Sequence, residues 1–208
     1  IDFVLENQMD AWCLTNHGHM NSFAHAYLHS EKIRKRGVDF KFVAGSEMYV
    51  HPDLDIWKLD YEMAKAAKRG DREAAAVLRE QRESIRTPLF AKVDGDDETV
   101  DLSTDEGSLT IENEEESKSA KFYDPIKRRH HLVVLPKTSV GLERLFGLVS
   151  KGYLEGFYYR PRIDKELLRE YSDGLICLSG CLKGEVQEFA VRGNLESAKK
   201  AALEYVQI

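Results

Sequence analysis

The residues of this chain best suited to chemistry are a few histidines, a glutamate and a cysteine at the ends of apolar runs. His17 follows the run from Ala11 to Leu14, in the polar turn Asn16-His17-Gly18, where Gly18 lets the backbone reverse tightly beside it. A neutral imidazole is a favoured ligand for zinc, manganese or iron, although a lone loop histidine is also an ordinary surface residue. Glu47 stands just beyond the run Phe40–Gly45. A carboxylate there can bind a hard cation, bridge two metals, cap a helix or carry surface charge. Cys181, in Ser179-Gly180-Cys181-Leu182, would bind zinc as a thiolate and would otherwise be a small apolar residue. Cys177 lies inside its run and reads as packing. His130 and His131 are adjacent, and a strand alternates its faces, so at most one of the two faces any given site. His19, His25 and His29 have a weaker case. Together, four metal-capable side chains at the edges of successive units favour a shared site, though no compact motif such as paired C-x-x-C defines one.

Such a site needs elements that bring distant residues to one end of a fold. The first fifty residues alternate in an α/β manner. A strand is expected over Asp10–Thr15, and a helix carries Phe23, Ala26, Tyr27 and Ile33 before Gly37 stops it. A second strand is expected over Phe40–Gly45, and strand, helix, strand suggests parallel pairing with a right-handed crossover. The pattern resumes with a strand at His131–Leu135 and a helix from about 140 to 151 bearing Leu142, Leu145, Phe146 and Val149. An aromatic, basic loop spans Tyr153–Asp164, and Asp164 can cap a helix over Lys165–Tyr171. A strand at Leu175–Ser179 and a final amphipathic helix capped by Asn194 complete the pattern. In parallel α/β folds the loops after strands converge on one face, the arrangement a shared site requires.

The middle differs. Residues from about Leu54 to Arg86 are rich in Ala, Glu, Lys and Arg and predict one or two solvent-facing helices. Acidic residues crowd the stretch from Asp94 to Lys118 with few large apolar partners, which predicts a mobile loop or loosely held hairpin. Net charge is −6, so the chain lacks the basic footprint of a dedicated nucleic-acid binder. Three cysteines make no disulfide framework and suit a reducing cytoplasm. No apolar run approaches the roughly 20 residues that span a bilayer, so no membrane partner is expected. The start, Ile1-Asp2-Phe3-Val4-Leu5-Glu6, is no signal peptide, and both ends read as cuts within a longer chain.

Several stretches resemble the PHP (polymerase and histidinol phosphatase) domain of bacterial or phage DNA polymerase III alpha subunits. The family's T-D-H-G is matched by Thr15-Asn16-His17-Gly18, and its G-x-E-x-Y-V by Gly45-Ser46-Glu47-Met48-Tyr49-Val50. His131-Leu132-Val133-Val134-Leu135-Pro136-Lys137 resembles an H-L-V-L-L-A-K strand. The most specific matches are Tyr153–Asp164, which holds Gly156-Phe157-Tyr158-Tyr159-Arg160-Pro161-Arg162-Ile163-Asp164, and Gly174–Glu185, which holds Leu178-Ser179-Gly180-Cys181-Leu182-Lys183-Gly184-Glu185.

The resemblance implies an α/β fold, an incomplete distorted (β/α)7 PHP-type barrel with a helical and acidic insertion. Residues 1–50 would form its first part, 51–130 a helical then acidic, mobile insertion, and 131–208 its continuation. The family carries up to three metal ions at one barrel mouth, and His17, Glu47, His131 and Cys181 fall on its ligand positions. His131 is the least comfortable of these, because it opens its strand instead of closing it. Asn16 replaces the family's Asp. An H-x-H motif is expected ahead of Ile1 and a D-x-H motif after Ile208, so this stretch alone is expected to bind metal weakly and to be inactive. The implied function is DNA replication as part of a DNA-directed DNA polymerase, with a metal-dependent 3′–5′ exonuclease or phosphoesterase activity in the intact domain. Divalent ions, zinc or manganese, would serve it, while magnesium serves a polymerase domain outside the chain; no catalytic residue or general base is assigned. Partners would be DNA, through the intact polymerase, and other replisome subunits, in the cytoplasm. The alternatives are a free-standing phosphatase of the histidinol-phosphatase type and a metal-free scaffold. Lys151, Tyr153, Tyr158, Arg160 and Arg162 would lie near DNA or pack into the barrel wall.

Overall fold

A computed structural model describes residues 1–85 and 126–208. The acidic stretch from Asp94 to Lys118 lies outside the described residues. The fold is mixed α/β, with the element order α1 (Asp2–Glu6), β1 (Ala11–His17), α2 (Phe23–Lys35), β2 (Lys41–Val50), α3 (Leu54–Arg69), α4 (Arg72–Ser84), β3 (His130–Pro136), α5 (Ser139–Glu155), α6 (Lys165–Glu170), β4 (Leu175–Leu178), α7 (Glu185–Val191) and α8 (Leu195–Val206).

The four described strands form one sheet in the order β1-β2-β3-β4. β1 and β2 pair in parallel through α2, as strand-helix-strand predicts. β3 runs antiparallel to β2, and β4 antiparallel to β3. Both early strands run further than their apolar cores suggest. β1 continues through His17, and β2 through Val50, so Glu47 lies inside a strand and not beyond it.

Alternation divides the sheet into two faces. Met48 and Val50 of β2 and Leu132 and Val134 of β3 share one face, packed on Leu145 and Leu148 of α5 and on Ile163, Leu167 and Leu168. Each fully buried side chain of this kind contributes about 1.5–3 kcal/mol, so this cluster is the main stabilising contact of the sheet. Register puts Thr15, His17, Glu47, Tyr49, His131 and Val133 on the other face. Among the described residues no helix packs comparably on that face, and its β4 members Ile176 and Leu178 are exposed.

Helix ends follow the capping residues. Asp53 caps α3, Asp71 caps α4, Thr138 caps α5, Asp164 caps α6 and Asn194 caps α8, each through a side-chain oxygen accepting from backbone N–H groups. α3 is not simply solvent-facing: Leu54, Ile56, Trp57 and Ala66 are buried. The first part of the aromatic stretch is helical, because α5 runs to Glu155. The remainder returns to the sheet beyond the end of β1, where Ile163 N–H donates to Tyr49 O and His51 N–H donates to Ile163 O. Among the described residues no helix is long and apolar enough to cross a membrane.

Candidate metal centre

Three strands deliver the candidate residues to one end of the open face. His17 ends β1 and is in register with Glu47 of β2. Because β3 is antiparallel, its opening residues lie beside the closing residues of β2, and His131 pairs with Tyr49. The position of His131 at the start of its strand is thus what brings it to the same end as His17. His130, its neighbour, points to the opposite face and is fully buried, with Nδ1 3.1 Å from Glu188 Oε2.

Glu47 is the hub. Its Oε2 lies 2.9 Å from His17 Nδ1, and its Oε1 lies 2.5 Å from His131 Nδ1. The His131 hydrogen bond holds the Glu47 carboxyl below the usual carboxylate range; burial opposes this, and the charges of His131, His17 and Lys183 add to it. Ligand atoms of His17, Glu47 and His131 all fall within 4.8 Å of one another, the one such group of three among the described residues. Cys181 lies outside that group but beside it, with Sγ 3.6 Å from His131 Nδ1. His17 is open to solvent, whereas His131 is buried, so the group sits at a surface with one accessible side.

The sequence reading missed Tyr49. It is buried and stacks on His17 with ring planes 10° apart, while meeting His131 edge-on at 5.1 Å. Spacing could have found it, since two residues along a strand from Glu47 is the same face. Tyr49 thus packs against both imidazole rings. Gly18 N–H donates to Glu47 O at 2.7 Å and ties the turn after His17 to the strand that carries Glu47.

The other candidates go elsewhere. His19 Nδ1 accepts from Asn21 N–H, His25 is exposed, and His29 Nε2 pairs with Asp2 at 2.8 Å. Cys177 is in register with Val134, on the helix-covered face away from Glu47, and burial pushes its thiol up to about 11. The residue is exposed on β4, the last strand of the described sheet. Asn16 is in register with Ser46 and so points away from Glu47; its Nδ2 is buried with no hydrogen-bond partner among the described residues. Arg162 is 1% exposed and donates to the Tyr158 and Arg160 carbonyls at 2.8 Å each, so its guanidinium is committed to the chain's own backbone. Lys151 pairs with Glu155 at 2.7 Å, Tyr153 stacks on Phe157, and Tyr158 packs against Tyr61.

A family model described as the PHP domain matches residues 1–208. Among curated proteins, the DNA polymerase III subunit alpha of Treponema pallidum is 44% identical over 79 residues, which is 38% of this chain and 7% of that protein. The same subunit of Borreliella burgdorferi is 43% identical over 93 residues, 44% of this chain and 8% of the relative. That of Chlamydia pneumoniae is 56% identical over 63 residues, 30% of the chain and 5% of the relative. The matched stretches therefore cover less than a tenth of the length of these relatives.

Proposed function

Since the chain belongs to the PHP domain family, matched over residues 1–208, we propose that it is the PHP domain of a replicative DNA polymerase of the DNA polymerase III alpha type, with a divalent-metal site on the open face of its sheet. The observation that carries this is the convergence of His17, Glu47 and His131 within 4.8 Å. The donor set suits such an ion. Two imidazoles present Nδ1 to a shared carboxylate, and a thiol lies beside one of them, a mixed N, O and S set that zinc accepts and whose N and O members suit manganese. We assign His17, Glu47, His131 and Cys181 as the ligands and name no general base.

Bound there, divalent ions would supply Lewis acidity and an activated water for phosphodiester hydrolysis, a 3′–5′ exonuclease or related phosphoesterase activity. The chain's own part is orientation. Tyr49 sets the imidazole planes, and the Gly18 hydrogen bond to the Glu47 carbonyl keeps β1 and β2 in step at the ligands. The substrate would be DNA, gripped largely by other parts of the polymerase, in keeping with the net charge of −6 here. Nucleotidyl transfer with magnesium would belong to another domain, other replisome subunits would be partners, and the location would be the cytoplasm.

The apolar, partly exposed face with Ile176 and Leu178 supports a (β/α)7 barrel, in which inward side chains are enclosed by further strands. In that barrel residues 1–50 and 131–208 are wall and 51–130 an insertion, whose buried Leu54, Ile56 and Trp57 make its helical part lie on the wall.

A metal-free scaffold is the second reading, favoured by Glu47 already being engaged by both imidazoles and by Asn16 in place of Asp. Glu47→Ala in the full-length protein separates the two. Loss of both bound metal and exonuclease activity is expected; unchanged metal content and nuclease rate would favour the scaffold.

A further inference from the structure

Cys181 is carried by a short strap between β4 and α7 that lies against His131. Its internal turn is closed by Gly184 N–H donating to Cys181 O at 2.8 Å, and His131 N–H donates to Lys183 O at 3.0 Å. Gly180 adopts φ +84°, and a Cβ there would lie 2.8 Å from His131 O, so the strap lies directly on the start of β3.

The residue that follows the strap is Glu185, the first of α7, and it is 5% exposed. Its Oε1 accepts from Lys165 Nζ at 2.8 Å and its Oε2 accepts from Tyr205 Oη at 2.9 Å. Lys165, itself buried, also donates to Glu204 Oε2 at 2.6 Å and lies 5.0 Å over the Tyr205 ring. One turn further along α7, Glu188 meets His130, the neighbour of His131. α7 is thus held to α6 and α8 through Glu185 and to β3 through Glu188, and the Cys181 strap leads directly into the first of these.

A buried ion pair is a poor way to gain stability, because desolvation offsets most of the attraction and apolar residues of similar volume do as well. What a fully satisfied polar network does supply is a single geometry. Both Glu185 oxygens are engaged, and burial together with the Glu185 charge pushes the Tyr205 hydroxyl well above its ordinary range, so it remains a donor.

We propose that Glu185, clamped by Lys165 and Tyr205, is a positioning residue that holds the Cys181 thiol beside His131. The inference rests on the metal-site reading above. Removing the clamp would leave His17, Glu47 and His131 in place and let the thiol drift.

The test uses the full-length protein loaded with cobalt(II), whose thiolate-to-metal charge-transfer band reports Cys181 and whose affinity is read by titration. Cys181→Ser supplies the reference and is expected to abolish the band. Tyr205→Phe, which keeps the ring under Lys165, and Glu185→Gln are each expected to keep the far-ultraviolet circular dichroism of the parent, weaken cobalt binding about tenfold and diminish the band. Should Glu185→Gln fail to fold, Tyr205→Phe carries the same expectation. A parental band and affinity in Tyr205→Phe and in folded Glu185→Gln would overturn the clamp while leaving the metal site standing. A parental band in Cys181→Ser would instead remove thiol ligation itself, and the clamp with it.

Discussion

At Gly18 the backbone turns with φ +70° directly after His17, and an added Cβ would lie 2.9 Å from Pro161 Cγ and 3.1 Å from Tyr49 Cε2. Both neighbours are buried, so neither gives way easily. Gly18→Ala is expected to cost about 2 kcal/mol, from left-handed strain plus the clash, and to lower the thermal midpoint of this domain by several degrees. An unchanged midpoint would mean that the turn after His17 has more room than these distances allow. The need for glycine beside His17 was legible in the sequence as a tight turn, but its partners were not, since Pro161 lies more than a hundred positions away. The same holds across the site. His17 and Glu47 stand out because each ends or follows an apolar run, whereas Tyr49 reads as one more aromatic in a strand until register shows it against both imidazoles. Arg162, in a basic and aromatic stretch, invites a nucleic-acid reading, and only its burial and its two carbonyl partners show that its guanidinium bonds its own backbone.

Asp164 joins two helices that are far apart in the chain. Its Oδ1 accepts from Leu167 N–H at 2.8 Å to cap α6, and its Oδ2 accepts from Leu54 N–H at 3.1 Å at the start of α3. Losing an N-cap costs about 1 kcal/mol, so Asp164→Ala is expected to lose about 2 kcal/mol. Asp164→Asn, with a single acceptor oxygen, should fall between the two in urea unfolding. Equal stability of the Asn variant and the parent would show that only one of these contacts contributes. The α6 cap could be read from sequence because capping is local. The α3 contact could not, and for the same reason α3 looked solvent-facing in a stretch dominated by Ala, Glu, Lys and Arg. Strand direction was the other blind spot. A period of two identifies β3 but carries no polarity, so His131 at the head of its strand seemed badly placed, when antiparallel pairing is what brings it to Tyr49. Short α1 and α7 lack the length for a clear 3.6-residue period and escaped notice.

Taken whole, the sheet presents one face to α5 and its neighbours, and the other carries the His17, Glu47 and His131 group at one end and the exposed Ile176 and Leu178 of β4. The chain belongs to the PHP family, and the barrel proposed above would place this face toward its interior and the group at its mouth. The central claim of this account is that these three side chains, drawn from strands far apart in sequence, hold a divalent ion. Crystals of the full-length protein grown with manganese or zinc, with anomalous data collected at the absorption edge of the metal, test it most directly. The account predicts an anomalous peak within bonding distance of Glu47, His17 and His131; a well-ordered site with no peak there, the Glu47 carboxylate still bonded to both imidazoles, would contradict it.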